Sequence, residues 1–299
     1  FFKDNLDEVI SIIKIDGATL LFDEKKLLNL FILDGNIFTM PFIFELKGKN
    51  DSTKKKEISF KVESLNLDIF NESIKKTNNT INGRNIILFL NSKFNTEYTI
   101  VDKAIFFTSN NSRINNSKVS YNGEITINPF DINLNINLDD HKISQLFNFN
   151  LIFEELLKSE ILFNDNISLR TNLNISSSIK KEIFNNADIY FNILNGKINF
   201  NKTKFIKNNV GSLELSNSNL FIEKNKLILS TDLFFDIKNS NKLFSALNTS
   251  KKLRKEIGYI LISLEYDFLS NEITFNKVKI NNREVGDQFL NVLEGFNDG

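Results

Sequence analysis

Apolar and polar residues alternate with a period of two over most of this chain. Between residues 123 and 138, Ile, Leu and Phe alternate with polar residues that are mostly Asn, with one change of phase at 128–131. Successive side chains of a β-strand point to opposite faces, so this pattern predicts a sheet with one apolar and one polar face. The pattern recurs from end to end and is densest between Gly196 and Ile237. We therefore expect a mainly β fold built on an extended antiparallel sheet.

Turn signals separate the alternating runs. The pairs Asp16-Gly17 and Asp34-Gly35 predict tight turns in the first part of the chain, because such dipeptides tolerate positive φ. Pro129 lies inside the run from 118 to 138, and proline cannot donate a backbone hydrogen bond to a central strand. An edge, a bulge or two abutting strands would each explain it.

A few segments change to helical spacing, which predicts short amphipathic helices. They lie at 143–147 continuing at 151–158, at 179–186, at 240–247, at 251–257 and at 284–295. Ser240 is a candidate N-cap residue for the helix predicted at 240–247. If the chain has a seam, the helical interruption after residue 140 is the best place for it. We therefore expect a β segment at 1–140 and a second at 141–299, or one continuous unit.

Composition excludes most catalytic chemistry. The chain has no Cys and one His, which removes disulfides, thiolate sites and two-histidine metal sites. The common phosphate, dinucleotide, hydrolase and zinc-protease motifs are missing. His141 follows two Asp residues, where we expect a solvated turn leading into a helix. We predict a protein that is not an enzyme and needs no cofactor or metal.

The charge balance and the start of the chain bear on the partners of this protein and on its length. Lys+Arg and Asp+Glu are both 37, so the whole chain offers no electrostatic footprint for nucleic acid. The cluster at 54–56 is interpreted as a solvated loop tip, and the one at 251–255 either as a solvated face or as a contact to lipid headgroups. The chain begins Phe1-Phe2-Lys3 without Met, so we expect a segment of a longer protein.

The closing third carries a recognisable pattern of small, apolar and polar residues. It comprises 195–200, 210–220, Asp236-Ile237 with Leu243-Phe244, 280–282 and 294–296. Over residues 120–299 the chain resembles the C-terminal region of bacterial AsmA-like proteins, the group that includes the TamB and YhdP relatives. The resemblance implies a long, curved, taco- or solenoid-like β-sheet groove in the periplasm, anchored to the inner membrane by an N-terminal helix. Such a groove would carry phospholipids toward the outer membrane, with other envelope proteins as partners.

Alternation then predicts which side chains would line the groove and contact acyl chains. These are Ile125, Ile127, Ile132, Leu134, Ile136, Leu213, Leu215, Leu227 and Leu229. The phase changes across 128–131, so Ile125 and Ile132 share a face only if a bulge intervenes. The pairs Phe106-Phe107 and Phe234-Phe235 place aromatic residues on both faces, which is typical of a strand covered on both sides.

Two alternatives stay open at this point. The first is an all-β surface scaffold or adhesin whose apolar faces meet in a sealed core. The second is a glycan hydrolase on a β-solenoid, which needs two carboxylates at a fixed separation. No such pair is identifiable in the sequence.

Overall fold

A computed structural model describes residues 2–3, 9–10, 13–37, 40–49, 54–146, 161–163, 167–179, 182–224 and 226–286. Strands dominate these residues, which confirms the predicted mainly β fold class. The chain divides into two compact units, Phe1–Asn128 and Pro129–Gly299. The domain seam expected after residue 140 stays a prediction.

The first unit is an antiparallel meander in which each strand pairs with the next. A short pair, β1 (Phe2–Lys3) and β2 (Val9–Ile10), precedes it. The meander consists of β3 (Ile13–Asp23), β4 (Leu28–Ile37), β5 (Met40–Lys49), β6 (Lys55–Val62), β7 (Leu67–Lys75), β8 (Thr80–Phe89), β9 (Ser92–Val101), β10 (Ala104–Ile114) and β11 (Ser117–Ile127).

Both Asp-Gly pairs of this unit lie inside strands, so the prediction of turns there is wrong. Gly17 in β3 pairs with Asp34 in β4, and the register shifts between Ile15 and Gly17 as in a β-bulge. A Cβ atom on Gly35 would lie 2.1 Å from the carbonyl oxygen of Lys14. The glycine is therefore needed for close backbone approach at the bulge, not for a turn.

Asparagine closes many of the hairpins. Asn66, Asn115, Asn195 and Asn271 have φ angles of 47°, 52°, 49° and 57°, and each lies in or beside a turn between two strands. Among residues with a Cβ atom, Asn is one of the few that enters this left-handed region readily. The high Asn content of the chain thus serves its many tight connections.

The second unit is a mixed sheet with one parallel pair. Its strands are β12 (Phe130–Asp139), β13 (Ser168–Ser176), β14 (Asn186–Leu194), β15 (Lys197–Asn199), β16 (Lys204–Lys207), β17 (Gly211–Glu223), β18 (Lys226–Ile237), β19 (Tyr259–Asp267), β20 (Glu272–Ile280) and β21 (Arg283–Glu284). β12 and β13 are parallel, and the following pairs are antiparallel. Of the explanations for Pro129, two abutting strands is confirmed, because a turn at residues 128–129 separates β11 from β12.

The helices are shorter than expected. Helical turns occupy Ile143–Leu146 and Ser240–Ala246, and 3-10 turns occupy Glu63–Leu65, Ile161–Phe163 and Lys251–Leu253. The helix expected at 179–186 is wrong over the described positions 182–185, which are irregular, and β14 begins at Asn186. The expectation for 251–257 is met only by its first turn. Residues 151–158 and most of 284–295 lie outside the described residues.

Asn239, not Ser240, caps the helix Ser240–Ala246. The Asn239 side-chain oxygen accepts a hydrogen bond from the backbone N–H of Lys242 at 3.0 Å. The Ser240 hydroxyl instead donates to the carbonyl oxygen of Ile257 at 2.8 Å and accepts from its N–H at 3.0 Å. Ser240 therefore links the start of the helix to Ile257, just before β19. The Asn239 side chain accepts a hydrogen bond from a helix N–H that has no partner within the helix.

Fully buried apolar side chains are concentrated in the second unit. Ile193, Ile198, Leu220 and Leu227 form a cluster against which the 3-10 turn side chains Leu162 and Phe163 pack, among others. In the first unit the buried apolar side chains are Phe42, Val62 and Val119. Of the helices described, none combines the length and apolar character that a membrane crossing requires.

Candidate functional site: an apolar sheet face in each unit

In the second unit, cross-strand register gathers the apolar side chains on one face. Ile136 lies opposite Leu173, which lies opposite Ile189, and directly paired residues point to the same side of a sheet. We call this surface the second apolar face. Its members include Ile132, Leu134, Ile136, Leu169, Leu173, Ile189, Ile193, Ile198, Leu213, Leu215, Leu220, Leu227, Leu229, Leu233, Phe235, Ile262 and Val278.

All the predicted lining residues of the second unit lie on this face. They are Ile132, Leu134, Ile136, Leu213, Leu215, Leu227 and Leu229. A register shift between Ser216 and Asn219 changes the parity of β17, so that Leu220 and Ile222 join the face alongside Leu213. The sequence reasoning missed these two residues because it followed a strict period of two. Asn217, with φ of 49° in the middle of the strand, is the local signal of the bulge.

The first unit carries an equivalent surface, which we call the first apolar face. Ile125 belongs to it through its pairing with Ile105, and Ile127 follows two residues later on the same strand. Ile127 is 58% exposed. Other members are Leu20, Phe31, Leu33, Phe42, Phe44, Leu46, Ile58, Phe60, Val62, Leu67, Ile69, Ile87, Phe94, Ile105 and Phe107.

Most side chains of the two faces are only partly covered. Apart from Phe42 and Val62, the named members of the first apolar face are half-buried or exposed. On the second apolar face the covered part includes the cluster around Ile193, the row Leu138, Ile175 and Ala187, and Phe205 and Val278. Burying one further leucine or phenylalanine side chain contributes about 1.5–3 kcal/mol, so these surfaces retain substantial capacity to bind apolar matter.

One stretch of the second apolar face forms a cavity of about 610 Å³. Leu213, Phe235, Ile237 and Ile260 line it from the strands, and Leu243, Ala246 and Leu247 line it from the helix Ser240–Ala246 and its C-terminal cap. Lys207, Glu182 and Asp236 supply charge at its boundary. An apolar volume with a few polar groups is typical of a small-molecule site.

The opposite face of the second unit is largely polar. The Asn174 side-chain amide donates to the Asn137 side-chain oxygen at 3.0 Å across the parallel pair. Nearby, the Arg170 guanidinium pairs with the Asp131 carboxylate at 2.6 Å. Such exposed pairs contribute little to stability individually.

The two Phe-Phe pairs do not require a strand covered on both faces. Phe235 and Phe107 belong to the apolar faces, whereas their neighbours point the other way. Phe234 stays 39% exposed and stacks on Tyr259 with ring centroids 5.7 Å apart. Phe106 stays 45% exposed. The interpretation of these pairs as doubly covered strands is therefore wrong, because Phe234 and Phe106 both stay exposed on the opposite face.

His141 is buried, so the expectation of a solvated turn is wrong. The residue is 5% exposed, and its backbone N–H donates to the carbonyl oxygen of Ser176 at 3.2 Å. Burial lowers the pKa of the His141 imidazole, and the carboxylate of Glu182 partly opposes this effect. Glu182 accepts hydrogen bonds from the backbone N–H and hydroxyl of Ser144, which ties the short helix to the 182–185 segment.

The neutral His141 predicts a loss of stability on acidification. Its folded-state pKa lies below the unfolded value of about 6.5, so the unfolded chain binds more protons as pH falls through that range. We expect the thermal midpoint to fall between about pH 7.5 and 5.5, where most carboxylates stay ionised. The variant His141→Gln should show a flatter dependence in thermal melts over this range. An unchanged slope in the variant would assign the pH effect to other groups.

Within the described part of the chain, no group of three or more His, Asp or Glu side chains is arranged to hold a metal ion. Comparison with protein-family models, curated proteins and solved structures finds no match to this chain. The resemblance to AsmA-like proteins therefore stays a prediction, and the geometry of the two faces carries the functional argument.

Proposed function

We propose that this chain is a non-enzymatic lipid-carrying segment, in which the two apolar faces hold phospholipid acyl chains. The observation that carries the proposal is the set of apolar side chains that cross-strand register gathers on one face in each unit, most of them only partly covered. Each buried CH₂ group of an acyl chain contributes about 0.8 kcal/mol, so a row of apolar side chains binds lipid without specific polar contacts. Contiguous apolar side chains that stay partly exposed are typical of a binding surface.

The resemblance to AsmA-like proteins extends the proposal to a cellular role. In that role the chain forms part of a groove in the bacterial periplasm. The parent protein is tethered to the inner membrane through an N-terminal helix and works in outer-membrane biogenesis, passing phospholipids between the two membranes. Partners among other envelope proteins would meet the ends of the groove.

Site-specific photocrosslinking tests the proposal on two adjacent residues. A photoreactive phenylalanine analogue at Phe235 faces the cavity of the second apolar face, and the same analogue at Phe234 faces the polar side. After expression in a bacterial envelope, irradiation should give a phospholipid adduct at 235 and none at 234, read by mass spectrometry of the intact chain. Lipid extracted from the unirradiated protein should contain the same species.

The competing scaffold function predicts a different result. A sealed core leaves no room for an acyl chain, so the analogue at 235 would react only with protein atoms, and the purified chain would be free of lipid. That outcome would contradict lipid carriage. Equal adducts at 234 and 235 would also contradict it, because they indicate adsorption to any apolar atom.

A further inference from the structure

The first apolar face changes character along its strands in three successive rows. The innermost row is apolar and includes Phe44, Phe60 and Ile69. The next row begins with Phe31, Leu46 and Ile58 and continues into Asn71 and Asn85, which replace apolar side chains by amides.

The third row is polar over β5 to β8 and contains Lys56. Cross-strand pairing places Lys56 between Gly48 and Ser73, and Gly83 and Tyr98 continue the row. The Tyr98 ring lies over Gly83, where a Cβ atom would come within 2.2 Å of the ring. Its hydroxyl donates to the side-chain oxygen of Asn71 at 3.0 Å. These contacts fix a polar border against the apolar rows.

Three lysines gather at this border. Lys54, Lys56 and Lys75 line a cavity of about 820 Å³ together with apolar side chains that include Leu20 and Phe31. Among the described residues, none of these three ammonium groups has a carboxylate partner within 4.0 Å. Gathering like charges at an apolar cavity raises the electrostatic energy unless an anion binds there.

Two lysines on the opposite face of the same sheet, Lys47 and Lys55, are paired. Lys55 contacts Glu57 at 2.8 Å and Glu72 at 3.0 Å, and Lys47 pairs with Glu45. The first of these hydrogen bonds raises the pKa of Lys55 and lowers that of Glu57. The sequence triplet Lys54-Lys55-Lys56 is therefore split by the strand: its middle member is neutralised on the polar face, while its outer members face the cavity.

We propose that this lysine-rimmed cavity binds the headgroup end of a single anionic phospholipid, whose acyl chain lies along the apolar rows. This inference rests on the proposed function and adds a preference in lipid charge. Charge complementarity selects the occupant: lysine ammonium groups bind phosphate oxygens, and polybasic clusters favour anionic over zwitterionic lipids. The adjoining apolar rows favour a lipid monomer over a free anion or a nucleic acid, neither of which supplies an apolar part.

The test measures binding of short-chain phospholipids to the purified chain below their micelle concentration. Dihexanoyl phosphatidylglycerol is the anionic probe and dihexanoyl phosphatidylcholine the zwitterionic control. The triple variant Lys54→Gln, Lys56→Gln, Lys75→Gln should bind the anionic probe at least about tenfold more weakly, with binding of the control within about twofold of the parent. The matched variant Lys47→Gln, Lys55→Gln on the polar face should leave both affinities within about twofold.

Four results would overturn the inference. Unchanged anionic binding in the triple variant would show that the lysines do not meet the headgroup. Equal competition by glycerol phosphate would assign the site to a free anion, and equal competition by single-stranded DNA would assign it to nucleic acid. If the folded triple variant bound neither the anionic probe nor the zwitterionic control, the substitutions would have impaired binding of acyl chains in general and not recognition of the charged headgroup. The crosslink at position 235 reports on lipid carriage separately, because it lies in the other unit.

Discussion

Truncation of Leu220 to alanine is expected to lower the free energy of unfolding by about 3 kcal/mol. Leu220 is 2% exposed and lies in the buried cluster with Ile193, Ile198 and Leu227. Removing a buried leucine side chain costs about 2–5 kcal/mol, because the apolar transfer energy is lost and a cavity remains. Urea denaturation of the purified chain, followed by circular dichroism, measures the change.

The matched control for this prediction is Ile222→Ala. Ile222 lies two residues along the same strand on the same face but is 38% exposed. Partial exposure means that less apolar area is lost and water already reaches the site, so the expected cost is below about 1 kcal/mol. Similar costs at the two positions would show that the cluster is not the core of the second unit.

The substitution Phe235→Asp is expected to reduce the phospholipid that copurifies with the chain by at least about tenfold. A carboxylate at this point of the 610 Å³ cavity would have to lose its hydration when an acyl chain binds, and that loss is costly. The variant Phe234→Asp introduces the same charge on the polar face and should change lipid content by less than about twofold. Quantitative lipid extraction and mass spectrometry measure both.

Folding must be separated from binding in this second prediction. Phe235→Leu keeps the position apolar, so it should retain lipid close to the parent level while perturbing packing similarly. Circular dichroism and thermal melts should show that all three variants keep the sheet. If Phe235→Asp is folded and still carries the parental amount of lipid, the cavity is not where lipid binds.

The course of the strands was largely predictable from the sequence, whereas several connections were not. Alternation located most strand segments, and Ile132, Leu134 and Ile136 share a face because side-chain direction follows from local backbone geometry. The two Asp-Gly pairs misled, because their glycines serve a bulge within β3 and β4 and not a turn. A dipeptide carries the same local preference in both settings, and only the partner strand distinguishes them.

The residues of the candidate sites were also only partly predictable from the sequence. Predicted lining residues lie on the apolar faces, but Leu220 and Ile222 were missed because a bulge in β17 reverses the parity of the strand. The triplet at 54–56 was interpreted as a solvated loop tip, yet Lys55 and Lys56 point to opposite faces of β6. Lys75 joins the cluster from the neighbouring strand β7, and no local signal in the sequence brings it together with Lys54 and Lys56.

The sequence by itself determined that this protein is mainly β and that each sheet has an apolar side, because a period of two is a local property of extended backbone. Only the tertiary structure decided which parts of that side are covered, where bulges change the phase, and that His141 is buried. Burial and strand register depend on segments that are distant in sequence. The energy of pairing two strands depends on how their side chains pack together, and no local pattern specifies that packing.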